Sequence, residues 1–223
     1  MQSNVCILTV TTVILLYVTV AYGCSCVPTH PQAQFCNSQF VILARVKREF
    51  THNDTRVYKV RIRKEFKMTE KAQVALKSGR LLTSLWDSMC GVKLETGKVY
   101  AIGGRIISLK AHINMCGLVE KWDELSQRQR KGLNRMYKQG CTCGIKRCRP
   151  PHCQKTRDFC TWSTLSFDKQ VDCQRMQGIC LRSATDKCHW ARNKIQTACM
   201  RNSTKPRKST TIRPPLTISL WSG

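Results

Sequence analysis

Residues 39–66 read QFVILARVKREFTHNDTRVYKVRIRKEF. The first half, 39–48, opens on the unbroken apolar stretch Phe40-Val41-Ile42-Leu43-Ala44, the pattern of a buried strand. The second half, 56–66, alternates, with Val57, Val60 and Ile62 set against Arg56, Lys59, Arg61 and Arg63. That is the pattern of a strand with one solvated face. The alternation slips at Tyr58, which marks a candidate bulge. Between the two, residues 51–55 (THNDT) form a polar turn. Asn53-Asp54-Thr55 is an N-glycosylation acceptor, as suits an exposed hairpin tip.

Further strands are expected at 98–102 (KVYAI) and 105–113 (RIISLKAHI), divided by Gly103-Gly104. A helix is expected over 123–138, with Asp123 and Glu124 first and the basic residues last, which complements the helix dipole. Leu125, Leu133 and Met136 supply its apolar stripe, Gly132 interrupts the pattern, and Gly140 is a stop signal. The fold class is mainly β with helices. Several strands and a late helix fit a small closed barrel of the OB type, although strand count alone does not fix the topology. Residues 141–199 hold nine cysteines and only short periodic stretches, as in a loop-rich module held by disulfides. Residues 200–223 are rich in Lys, Arg, Ser, Thr and Pro and read as a basic disordered tail. Asn202-Ser203-Thr204, near its start, is a second glycosylation acceptor.

At 223 residues the chain has room for one large domain or two small ones. Aromatics are only 7%, and thin cores usually need covalent staples. The 15 cysteines require an oxidising compartment, and the N-terminus predicts one. Residues 5–20 form an uncharged apolar run, followed by Ala21-Tyr22-Gly23, with small residues placed for a cut after Gly23. The preceding MQSN lacks Lys and Arg, which is atypical, and an uncleaved anchor is the alternative. Cleavage removes Cys6 and leaves an even number of cysteines, which favours a disulfide framework. Structural zinc competes, since Cys24/Cys26 and Cys141/Cys143 are close pairs, but no C-x-x-C pair stands at zinc-finger spacing from another. The formal net charge of +25 speaks of partners. For a secreted, extracellular chain, nucleic acid is excluded and sulfated glycosaminoglycan or extracellular matrix is the natural polyanion.

No hydrolase constellation is present: no G-x-S-x-G, no H-E-x-x-H and no phosphate-binding glycine loop. The histidines at 30, 52, 112, 152 and 189 are scattered. The segment with chemical potential is Cys24-Ser25-Cys26-Val27-Pro28, which follows the expected cut. With FCNSQFVILARV at 35–46, SMCG at 88–91 and W-x-x-L-S-x-x-Q-R-x-G from Trp122 to Gly132, it resembles the tissue inhibitors of metalloproteinases. The spacings from Cys141 to Cys153 and the Cys-x-Trp motifs at Cys160 and Cys188 extend the likeness over nearly all of 24–190. The departures suggest a divergent, invertebrate-like member: Cys173 and Cys199 are extra, the charge is high, and the basic tail is additional.

The resemblance implies no enzyme but a secreted, monomeric inhibitor of zinc metalloproteinases, without a cofactor of its own. It implies a netrin-like, five-stranded OB-type inhibitory domain at 24–141, a disulfide-rich domain at 142–199, and a signal peptide at 1–23. It implies the disulfides Cys24–Cys90, Cys26–Cys116, Cys36–Cys141, Cys143–Cys188, Cys148–Cys153 and Cys160–Cys180. Cys173 and Cys199 are left over and are expected to pair. It also implies that Cys24, Ser25, Cys26, Val27 and Pro28, with Asp87, Ser88, Met89 and Cys90 beside them, face the protease. The chemistry can be stated independently. A catalytic zinc keeps one coordination position open. A neutral α-amine and the carbonyl oxygen of the same residue can chelate it, and an α-amine with pKa about 7.7–8.0 loses its proton at little cost. An N-terminal extension turns that amine into an amide. In an extended segment Cys24 and Cys26 point the same way and can be tied down beneath, while Ser25 points outward to the protease's specificity pocket. The alternative is a non-inhibitory netrin-like module that binds matrix or heparan sulfate; a free mature Cys24 discriminates between the two.

Overall fold

In the computed structural model the described residues are 23–148, 153–154, 156–163 and 172–203. The apolar run at 5–20, Cys6, His152 and residues 204–223 lie outside them. β1 (Phe40–His52) and β2 (Thr55–Met68) form a long antiparallel hairpin. Its turn places Asn53 at φ 51, a left-handed conformation that Asn tolerates. The apolar run at 40–44 is continuous because β1 is covered on both faces. Phe40, Ile42, Ala44 and Val46 face one core, and Val41 faces another.

The irregularity expected at Tyr58 lies elsewhere. Lys47 on β1 has no opposite residue between the Val46–Val60 and Arg48–Lys59 pairs, and Arg63 and Phe66 are the extra residues on β2. Arg56, Val57 and Tyr58 are buried in succession. β2 pairs with β3 (Arg80–Ser84), β3 runs parallel to β5 (Lys110–His112), and β5 pairs with β4 (Val99–Ile107). β4 returns to β1, so five strands close a ring, and β6 (Val119–Lys121) is added on β4. Tyr58, Val60, Leu81, Tyr100, Ile102 and Ala111 join the even-numbered β1 residues inside it.

Gly103-Gly104 does not divide two strands, as the sequence suggested; β4 runs through both. Residue 104 must lack a side chain because a Cβ there would sit 2.6 Å from the Phe40 ring and against the His112 carbonyl. The break comes later, at Ser108 (φ 48) and Leu109 (φ 57).

β3 and β6 were not expected from the sequence, and two short helices also escaped the reading. α1 (Pro31–Asn37) is capped by His30, with Pro31 in its first turn, and α2 (Glu70–Leu76) is capped by Thr69. Each is too short for a periodic pattern to register. α3 runs as an α segment Gln127–Lys131, a π turn Gly132–Met136 and an α segment Tyr137–Gln139. It starts at Ser126, not at Asp123, because Ser126 and Gln129 form a capping box. The π turn turns Tyr137 inward, fully buried, with its ring 5.9 Å from that of Phe35.

Beyond α3, β7 (Gly144–Cys148) pairs in parallel with β8 (Phe159–Ser163), and β9 (Cys180–Arg182) pairs antiparallel with β10 (Cys188–Trp190). α4 (Cys173–Gln177) and α5 (Lys194–Ser203) complete the described part. Residues 200–203, expected at the start of the tail, belong to α5, which carries through Ser203. Among the described residues, no helix is long and apolar enough to cross a membrane.

The C-terminal part packs onto the ring through α1. Gln32, 1% exposed, donates to the carbonyls of Gly140 and Cys180 and accepts from the Cys180 N–H. Ile179 joins Phe35, Val41, Leu133 and Tyr137 in the outer core.

Candidate functional site

Cys24–Pro28 has no regular secondary structure, and its side chains alternate in exposure until Pro28. Cys24 and Cys26 are half-buried, whereas Ser25, Val27 and Pro28 are exposed. Val27 is 81% exposed. Two disulfides hold the segment from beneath, Cys24–Cys90 and Cys26–Cys116. Closing loops of 66 and 90 residues is worth about 4–5 kcal/mol each in the chain-entropy model. The consequence for binding is preorganisation. Ordering five free residues would cost on the order of 5–10 kcal/mol, and here that cost is met on folding.

The same bridges bring a second segment alongside. Trp86, Asp87, Ser88 and Met89 are all exposed, and Asp87–Met89 forms a single 3₁₀ turn ending at Cys90, φ 59. Gly91 must be glycine, because a Cβ there would lie 2.9 Å from the Trp86 carbonyl and closer still to that of Ser84. Lys93 pairs with Asp87 at 2.8 Å, and its hydrogen bond holds the Asp87 carboxyl below the usual carboxylate range. From the other side, the Met115 N–H donates to the Cys90 carbonyl at 3.1 Å, and Gln34 donates to the carbonyls of Cys116 and Gly117. Thus Cys24–Pro28 and Trp86–Cys90 form two adjoining strips of one surface.

The sulfurs of Cys24, Cys26, Cys90 and Cys116 lie within 4.8 Å of one another. Proximity of this kind suits a metal, but all four are oxidised in disulfides, so no thiolate remains to act as a ligand. The close pair Cys141 and Cys143 is likewise consumed, in Cys36–Cys141 and Cys143–Cys188. The remaining bridges are Cys148–Cys153, Cys160–Cys180 and Cys173–Cys199, and the seven Cα–Cα separations run from 5.1 to 6.0 Å.

Arg56 stands apart from the basic face of Arg61 and Arg63, which it could join only if a bulge at Tyr58 shifted the register. It is 7% exposed, pairs with Glu49 at 2.9 Å, and donates to the carbonyls of Val92 (3.0 Å) and Leu85 (3.4 Å). Its pattern position looked solvated, but three consecutive buried residues at 56–58 turn it inward. Lys59, Arg61, Arg63 and Lys64 are exposed as expected. Sequence reasoning also missed Trp86, 53% exposed beside the ridge; an aromatic just before the SMCG motif was the available signal. Asn53 is exposed at the hairpin tip, and Asn202 falls in the last turn of α5.

The comparisons with known proteins bear on this surface. The family model of the tissue inhibitors of metalloproteinases matches residues 22–190. Metalloproteinase inhibitor 3 of Gallus gallus is 38% identical over 180 residues, covering 78% of this chain and 84% of its own. Metalloproteinase inhibitor 3 of Xenopus laevis is 37% identical over 179 residues, covering 77% and 82%. The tissue inhibitor of metalloproteinase of Drosophila melanogaster is 31% identical over 211 residues, covering 86% and 95%. These relatives are named as inhibitors, not enzymes. The matched span takes in both strips of the ridge, the closed ring and the disulfide-linked C-terminal part, and the chain belongs to the tissue inhibitor of metalloproteinase family.

Proposed function

We propose that this chain is a secreted inhibitor of zinc metalloproteinases that acts through the α-amine and carbonyl oxygen of Cys24. After a cut behind Gly23, these two groups form a five-membered chelate on the open coordination position of the target's zinc. Ser25 enters the adjacent specificity pocket, Cys26, Val27 and Pro28 continue along the cleft, and Asp87, Ser88, Met89 and Cys90 bind on the other side. The observation that carries this reading is the pair of disulfides beneath an exposed segment, which ties Cys24 and Cys26 to the barrel. The closed ring is taken as the OB-type, netrin-like topology, with an inhibitory domain at 24–141 and a C-terminal domain at 142–199. Stoichiometric inhibition of a metalloproteinase panel by purified monomer, with mass spectrometry showing Cys24 as first residue, tests the proposal. Absence of inhibition by protein with that terminus removes it.

A second partner is favoured by a separate observation. Lys64, Lys131, Asn134 and Arg135 line a cavity of about 350 Å³ between β2 and α3, and Arg61 and Arg63 are exposed on the same strand. This surface suits sulfated glycosaminoglycan or extracellular matrix. Exposed charges are screened beyond about 8–10 Å near physiological ionic strength, so such binding weakens steeply with salt. Elution from heparin well above physiological salt, lowered by Lys64→Ala with Arg135→Ala, is expected. Elution at or below physiological salt refutes it.

A further inference from the structure

We infer that Trp86 is a specificity-determining contact of the inhibitory surface, and that buried Arg56 is the positioning residue that aims it. The inference rests on the inhibitory reading above. Trp86 is 53% exposed, and the backbone of its turn is hydrogen-bonded on both sides. The Leu85 N–H donates to the Asp54 carbonyl at 2.9 Å, and the Trp86 N–H donates to Ser84 Oγ at 3.1 Å. The Trp86 carbonyl accepts from both Met89 and Gly91 at 3.1 Å.

Arg56 braces this turn from within the barrel. One guanidinium nitrogen reaches the Leu85 carbonyl and the other the Val92 carbonyl, so a single planar fork ties the two ends of the segment that carries Trp86–Cys90. Glu49 neutralises the fork, and Tyr58 Oη adds a second brace by donating to Val92 O and accepting from Leu94 N–H.

A large aromatic carried exposed on a braced backbone is well placed to serve an interface. Trp loses little conformational entropy on binding and dominates binding energy where it fills a pocket. Trp86 adjoins Met89, which is 68% exposed, in the strip linked to Cys24, so its surface is continuous with the one that meets the protease. The occupant is therefore the same metalloproteinase, met outside the pocket taken by Ser25. The required feature is an apolar depression with a hydrogen-bond acceptor for the indole N–H. Enzymes differing there would be discriminated.

The test measures inhibition constants, with association and dissociation rates, for Trp86→Ala, Trp86→Phe, Arg56→Lys and the unsubstituted protein against several metalloproteinases. Trp86→Ala is expected to weaken binding by about 30-fold toward some enzymes and much less toward others, through faster dissociation. Its melting temperature should be unchanged, and Trp86→Phe should recover part of the loss. Arg56→Lys keeps the charge but not the fork. It should reproduce the Trp86→Ala selectivity profile, with faster hydrogen exchange at 85–92 and unchanged exchange in β4. Trp86→Ala within twofold of the parent toward every enzyme overturns the inference while leaving the inhibitory reading intact. No inhibition by the parent itself removes both. A uniform loss of protection across the barrel in Arg56→Lys would make Arg56 merely structural and overturn its assigned role.

Discussion

At the scale of single residues, the N-terminal strip was the most legible part of the chain. Cys24, Ser25 and Cys26 could be assigned to inner and outer positions because alternation in an extended segment has no competitor over so short a distance, and the exposures follow it. Arg56 was misread for the converse reason. Its place in an alternating pattern says which face a residue takes only while the strand stays regular, and three buried residues in a row break that rule at 56–58. Trp86 was overlooked because nothing in a lone aromatic tells a core residue from an exposed one. For the strip itself, Ser25 is expected to govern inhibition through direct contact. Ser25→Gly should raise inhibition constants across a protease panel by roughly 3- to 30-fold, equivalent to about 0.7–2 kcal/mol, and a large charged residue should raise them further. Unchanged constants for both variants would place Ser25 outside the interface.

At the scale of elements, the hairpin was legible from hydrophobic pattern and the strands after residue 98 in part, whereas β3, α1 and α2 were not. Seven residues make two turns, and such helices are specified by caps and by what they pack on more than by periodicity. The cap of α1 is the informative case. His30 is 1% exposed and lies between the rings of Trp162 (5.6 Å) and Trp190 (5.4 Å). Its Nδ1 accepts from the Gln32 N–H and its Nε2 donates to the Gln174 carbonyl, so both ring nitrogens are committed in the neutral form. Burial lowers its pKa from 6.5 to about 4; the Gln174 carbonyl and Asp172 oppose the shift, and Arg175 adds to it. The unfolded chain therefore binds a proton at His30 between pH 6.5 and about 4 when the fold does not. Stability is fully present above pH 6.5 and falls as pH drops through this window, by on the order of 3 kcal/mol in all. His30→Asn, which can still cap the helix but cannot titrate, should flatten that part of the pH–stability curve measured by denaturant unfolding. An equally steep fall in the variant would assign the acid sensitivity to other groups.

At the scale of the whole molecule, the sequence suggested a barrel followed by a disulfide-rich module, and the structure interlocks them. Gln32, six residues past Cys26, bridges Gly140 and Cys180, while Arg175 reaches from α4 to Glu120 and to the Thr29 carbonyl just behind the ridge. Contacts between parts distant in sequence leave no local pattern, which is why composition marked the change at Cys141 but not the packing across it. The central claim concerns neither part alone but the first atom of the mature chain. It is tested most directly by adding one alanine ahead of Cys24 and comparing inhibition of a matrix metalloproteinase with that of the native terminus, at matched melting temperature. The account predicts that the extended protein folds and is stapled as before, yet loses inhibition by at least about 100-fold, because removal of a coordinating amine costs more than about 2.7 kcal/mol. Inhibition equal to that of the native terminus would contradict chelation by Cys24.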